Sequence, residues 1–325
     1  MIYYSIFVIL FVAAFIFDFC KFGQNKIQQT IFWIFAFIIF LLAAFRYETG
    51  YDYVSYKNMF AFINNSSENI VNLSNEINIE IGFIFLMRLF KYYSFNLFII
   101  FISFLAVIPK IYFIYKIDKN KFLMLFCYFS SIFLTYDMGI VRQGISLSII
   151  LFSIKYLLNK NIAKFLLVII IASLFHSTSL IFIFLYILKD RKFSTKFYLL
   201  VLVISLLIPF FLNTSSLITS LSFFKGIIQT KTTYYTNYYE QTSIIFSLFK
   251  RVIIMIIFIY YSKHKKNDCD RFFWLSINAY ILSIIFMSIF NNVAIIATRG
   301  TVSLYMFQII CFGYIGKTNF FLIDA

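Results

Sequence analysis

Charge is scarce in this chain, at 13% of 325 residues, and proline and glycine are scarcer still, with two and nine copies. With so few polar side chains, a water-soluble domain of this length cannot cover a core, so the solvent of the folded state is a lipid bilayer. The shortage of proline and glycine leaves the apolar stretches uninterrupted. Helices satisfy their own backbone hydrogen bonds in lipid, and the alternation of a membrane barrel is missing, so the expected fold is all-α. Four cysteines (Cys20, Cys127, Cys269 and Cys311) show neither redox nor metal spacing, which argues against a disulfide framework. No Walker loop, H-E-x-x-H or G-x-S-x-G is present. The one D-x-D string, Asp268-Cys269-Asp270, lies in a short basic stretch, so neither a metal nor another cofactor is expected.

What is abundant is apolar: 62% of residues are hydrophobic and 22% aromatic. A helical crossing needs roughly 20 apolar residues. Runs at 2–19, 28–45, 95–116, 121–137, 140–158, 162–175, 177–188, 196–212, 243–262, 271–290 and 299–316 predict about eleven crossings of a single transmembrane domain covering 1–325. The N-terminal run lacks a basic flank and a cleavage site, and reads as a retained span. The segment 80–93 is interrupted by Arg88 and Lys91 and fits an interfacial helix as well as a span.

Lys and Arg number 28 against 13 Asp and Glu. In a membrane chain such an excess belongs to cytoplasmic connections rather than to nucleic-acid binding. Basic residues gather near Lys21 and Lys26, at Lys116–Lys121 with Lys110 counted among them, at Lys155–Lys164, at Lys189–Lys196 and at Lys263–Arg271. Placing these in the cytoplasm puts the N-terminus outside and makes 162–188 a short helical hairpin that turns at Phe175-His176-Ser177. Two long connections then fall outside, 46–79 and 213–242, the second carrying Tyr234, Tyr235, Tyr238 and Tyr239. The expected location is a bacterial cytoplasmic membrane, with the working face extracytoplasmic.

On that face, where Lys and Arg should be rare, Arg46, Arg142 and Arg299 each stand at the end of a span. Guanidinium offers a planar, permanently charged fork suited to phosphate. Arg251, with Lys250, interrupts a run, which means either a cavity-facing charge or a helix that begins later. Asp52, beyond the turn at Gly50, is held ionised near arginines and suits a general base, and His176 in its polar turn is the second candidate.

Four segments in order, R-Y-x-x-G-x-D-Y-x-x-Y at Arg46–Tyr56, E-x-G-F at Glu80–Phe83, V-R-Q-G at Val141–Gly144 and A-S-L-F-H-S-T-S-L at Ala172–Leu180, resemble the EpsG family of Wzy-like bacterial surface polysaccharide polymerases. The resemblance implies an enzyme that joins oligosaccharide repeats carried on undecaprenyl diphosphate and releases undecaprenyl diphosphate. Its partners are then the lipid-linked oligosaccharide, the bilayer, a flippase and a chain-length co-polymerase. In this frame Arg142, Arg299, Arg46 and Arg251 bind the diphosphate. Asp52, His176 and Arg142 carry the chemistry, and Tyr53, Tyr56, Glu80, Gln143, Tyr235 and Tyr238 meet the sugars. The competing class is a flippase or transporter of the same lipid-linked sugar. That class should place ionisable groups at mid-membrane on repeated broken helices. A membrane acyltransferase needs a cytoplasmic donor, which fits poorly with an outer His176.

Overall fold

The computed structural model describes residues 2–117, 119–212, 241–265, 269–291, 293 and 296–315. Among the described residues every regular element is helical, and each apolar run carries a helix. Among the described residues six helices are long and apolar enough to cross a membrane: Ile2–Phe19, Asn25–Ala44, Phe95–Ile117, Val141–Leu158, Ile244–His264 and Arg271–Ile289. This fits a multi-pass membrane protein. Ile162–Ser173, Ser177–Leu188, Thr195–Phe211 and Val302–Ile315 are apolar but shorter, so helix length supports six crossings where about eleven were expected.

The chain divides into two compact units, Met1–Leu180 with Phe312–Ala325, and Ile181–Cys311. The first contains α1 (Ile2–Ala14), α2 (Asn25–Ala44), α3 (Tyr53–Asn65), α4 (Ile70–Ile77), α5 (Ile81–Leu89), α6 (Phe95–Ile117), α7 (Lys121–Tyr128), α8 (Val141–Leu158) and α9 (Ile162–Ser173). A π-helical segment, Phe129–Asp137, prolongs α7. Neighbours run antiparallel. Phe7 and Phe17 of the first crossing meet Phe126 and Phe122, Ala43 and Phe32 of α2 meet Ser103 and Tyr115 of α6, and Lys110 and Ala106 of α6 meet Gly144 and Ser148 of α8.

Alternation of direction sorts the connections into two ends. At one end lie Lys21, Lys26, Lys116, Lys119, Lys121, Lys160 and Lys164. There the Asp18 carboxylate accepts from the Leu123 backbone N–H at 2.7 Å, beside a polar hollow of about 400 Å³ lined in part by Gln28, Gln29 and Lys119. At the other end the segment expected as a long connection, 46–79, is mostly helical, because α3 and α4 occupy it. At nine residues α5 is too short to cross. Its core side, Phe83, packs on Tyr56 and Phe98, so α3, α5 and the start of α6 close this end with aromatic side chains.

The second unit comprises α10 (Leu185–Leu188), α11 (Thr195–Phe211), α12 (Gln241–His264), α13 (Arg271–Ile289) and α14 (Val302–Tyr305), with α11 and α12 packed on α13. Asn278 of α13 is fully buried and satisfied. Its amide donates to the carbonyls of Leu188 and Arg191, and its oxygen accepts from the Tyr198 hydroxyl at 2.7 Å. The tyrosines expected to meet sugar, Tyr235 and Tyr238, lie outside the described residues, as does Asp268 of the D-x-D string.

Candidate functional site

The motif glycines are the points where separate segments touch. Gly50 sits at φ +103°, a left-handed conformation that L side chains rarely adopt, and a Cβ there would lie 2.2 Å from the Met138 carbonyl oxygen. A Cβ on Gly82 would lie 2.6 Å from the Leu174 oxygen, to which the Gly82 N–H donates at 2.8 Å. A Cβ on Gly144 would lie 2.5 Å from Asp137 Oδ1. These three approaches bring the turn after α2, the start of α5, the start of α8 and the end of α9 to one end of the first unit.

The side chains between them form one network. The Tyr56 hydroxyl donates to Asp52 Oδ2 at 3.1 Å and lies against the Arg142 guanidinium. Arg142 pairs with Glu80 Oε2 in a short contact, and the Ser177 N–H reaches the other Glu80 oxygen at 3.4 Å. One residue on from Arg142, Gln143 donates to Thr178 Oγ1 at 3.0 Å, and that oxygen lies 2.7 Å from His176 Nδ1. Burial lifts the Tyr56 hydroxyl to about 12, so it stays a neutral donor at physiological pH. Sequence positions from 52 to 178 thus share one mostly buried network with a guanidinium at its centre, an acid on either side and an imidazole beside it.

Arg46 belongs to this end but is only 6% exposed. Its Nη1 donates to the carbonyls of Asp137 and Met138 at 2.7 and 2.9 Å, which ties the end of α2 to the turn before α8. Its Nε and Nη2, like Nε of Arg142, are buried donors without a hydrogen-bond partner. A buried guanidinium with unused donors is costly unless an acceptor arrives.

The model of the EpsG family matches residues 29–321. The chain belongs to the EpsG family. No curated protein and no solved structure matches it. Family membership suggests a polymerase of polysaccharide biosynthesis, glycosyltransferase-like in its chemistry, and the match covers both compact units.

Several expectations change in this EpsG-family protein once side chains are placed. Tyr53 and Tyr56 are 3% and 1% exposed, and their rings pack on Phe95 and Phe83. Protein covers the rings of these two tyrosines, which were expected to meet sugar, and Tyr56 bears on the site through its hydroxyl. Lys110, counted with the cytoplasmic lysines, is instead buried in α6, where it pairs with Asp137 at 2.8 Å. In the sequence this pair is easily passed over, because Lys110, which lies within the run 95–116, groups with the basic cluster that follows it, and Asp137, at the end of the run 121–137, is left without a partner. Arg251 lies within α12 rather than at its start. It donates to Ser283 O and Thr301 Oγ1 and stacks on the Tyr305 ring, 4.3 Å from its centroid. Arg299, in the π-helical turn Ile296–Gly300, is two residues from Thr301, so in the second unit the buried Arg251 anchors the segment that carries the more exposed Arg299.

Proposed function

We propose that this EpsG-family protein joins oligosaccharide repeat units carried on undecaprenyl diphosphate, at the extracytoplasmic face, and releases undecaprenyl diphosphate without a metal ion. The reading is supported by the Arg142 network, in which a guanidinium Nε without a partner stands beside carboxyl and hydroxyl oxygens. The end of the first unit that holds this network lies opposite the lysine-rich end, which suits an outer face under the positive-inside rule.

In the proposed reaction a hydroxyl oxygen of the acceptor unit attacks the anomeric carbon at the reducing end of the growing chain. The bond from that carbon to the diphosphate oxygen breaks, and the hydroxyl proton passes to Asp52. His176 is the second candidate for that proton. Arg142 neutralises the charge that develops on the leaving diphosphate, where a preorganised donor contributes most. The unused donors of Arg46, at the same end of the first unit, suit the same anion. Glu80 and Ser177 orient Arg142, and Gln143 is placed for a sugar hydroxyl. The donor is already activated, so neither nucleotide nor external energy enters.

Arg142→Ala tests the assignment. Membranes of a strain carrying it should hold single capped repeats and only a residual trace of polymer, with the protein inserted at normal levels. Arg142→Lys should restore little, because an ammonium lacks the planar fork. Full-length polymer in Arg142→Ala would refute the role, and repeats trapped on the cytoplasmic leaflet would point to a flippase.

A further inference from the structure

Lys110 and Asp137 take no part in the chemistry above, yet a buried ion pair inside a membrane helix bundle is costly and needs a reason. Their side chains are 4% and 0% exposed. The ammonium of Lys110 lies within hydrogen-bond distance of four acceptors: Ala106 O at 2.6 Å, Asp137 Oδ1 at 2.8 Å, Gly144 O at 2.6 Å and Ser148 Oγ at 3.0 Å. The second oxygen of Asp137 accepts from the Tyr128 hydroxyl, and its backbone carbonyl accepts from Arg46. Asp137 is therefore held from the turn after α2, from α6 and from α7 at once. Lys110 grips both ends of the segment 137–144, through the carboxylate at its start and the Gly144 carbonyl at its finish. Arg142 and Gln143 lie between those two grips, and the missing side chain of Gly144 lets the Asp137 carboxylate lie against the first turn of α8.

We propose that the Lys110–Asp137 pair is the positioning element of the active surface, fixing the turn that presents Arg142. This rests on reading Arg142 as the diphosphate ligand. Hydrogen bonds have direction, whereas apolar packing of the same volume does not. A charged clamp at this place adds little net stability over an apolar one, and its distinct contribution is to set where the next turn of chain goes. A displacement of about 1 Å at a reacting group is enough to cost ~10²-fold in rate. The π-helical course of Phe129–Asp137 fits this role, because widened turns of that kind aim a side chain that a regular helix would point elsewhere.

The test is a coupling cycle on the full chain in lipid nanodiscs, with undecaprenyl-diphosphate-linked repeats as substrate. The paired variant Lys110→Met with Asp137→Asn removes the charges together and keeps the side-chain sizes. It should melt near the parent temperature, lose about 10²-fold in kcat and change KM little. Combined with Arg142→Ala it should be no slower than Arg142→Ala alone, because both changes act on the same contact. Should the paired variant fail to fold, Tyr128→Phe withdraws one hydrogen bond from Asp137 and leaves the ring in place. Its loss in kcat, about tenfold, should likewise vanish in the Arg142→Ala background. Parental kcat in the paired variant, or losses that multiply with that of Arg142→Ala, would overturn the positioning role while leaving the Arg142 assignment intact. Full activity in Arg142→Ala itself would remove the underlying reading and this role with it.

Discussion

Replacing Gly82 by alanine should damage the site from a position that touches no substrate. The new Cβ would stand 2.6 Å from the Leu174 carbonyl oxygen and 3.0 Å from its carbon, both backbone atoms that cannot rotate away. Reaching ordinary contact near 3.4 Å requires α5 and the end of α9 to separate by about 0.8 Å. Overpacking of this kind costs roughly 1–3 kcal/mol. Weakening the 2.8 Å bond from the Gly82 N–H to Leu174 O adds about 1 kcal/mol, and the better helix propensity of alanine returns about 1 kcal/mol. The net expectation is a loss of ~1–3 kcal/mol in stability. Activity should fall further than stability, because Glu80 precedes Gly82 by two residues while Ser177 and His176 follow Leu174 closely. The same separation therefore pulls Glu80 from the Ser177 N–H and moves Arg142 with it. A polymer yield lower by ~10²-fold is expected. Thermal unfolding of the purified protein reads the first effect and the polymer ladder from lipid-linked repeats reads the second. An unchanged melting temperature with a full ladder would show that the close approach of these two segments does not hold.

Glu80→Gln keeps the shape of the side chain but removes its charge from Arg142; melting should report a loss of about 1–3 kcal/mol, and polymer should shorten. Tyr56→Phe bears on pH: the folded hydroxyl ionises near 12 rather than at its ordinary 10.0, so the stability linked to neutral Tyr56 is complete below the lower value and is lost as pH rises through the higher one. The variant should accordingly unfold less steeply between those values, and its kcat at neutral pH should drop because Asp52 loses a donor; an identical alkaline unfolding curve would contradict the burial of this hydroxyl. A cysteine at Asn65 should react with an impermeant maleimide in intact cells, and one at Lys160 only after permeabilisation. The reverse pattern would invert the orientation.

Much of the site was legible because its residues come in short local motifs. Gly50, Gly82 and Gly144 each fall inside one, and each proves to be a point of contact between segments. The motif residues were expected on one face from the placement of the spans; in the first unit Asp52 meets Tyr56, Arg142 meets Glu80 and His176 meets Thr178. Less legible was the division of labour among the arginines. Arg46 and Arg142 look alike in sequence, both polar residues at the end of an apolar run, yet one is buried against two carbonyls and the other pairs with a carboxylate and keeps part of its side chain exposed.

The apolar excess and the scarcity of helix breakers by themselves determined that this chain is helical and spans a membrane, because burial in lipid sums over each residue wherever its neighbours lie. Only the tertiary structure decided which charges are paired and which are spare. Lys110 reads as one more cytoplasmic lysine until α6 packs antiparallel to α8 and brings it to Asp137 and Gly144. A charge's partner depends on which helix faces meet, and that is a property of the packed bundle rather than of any stretch of chain.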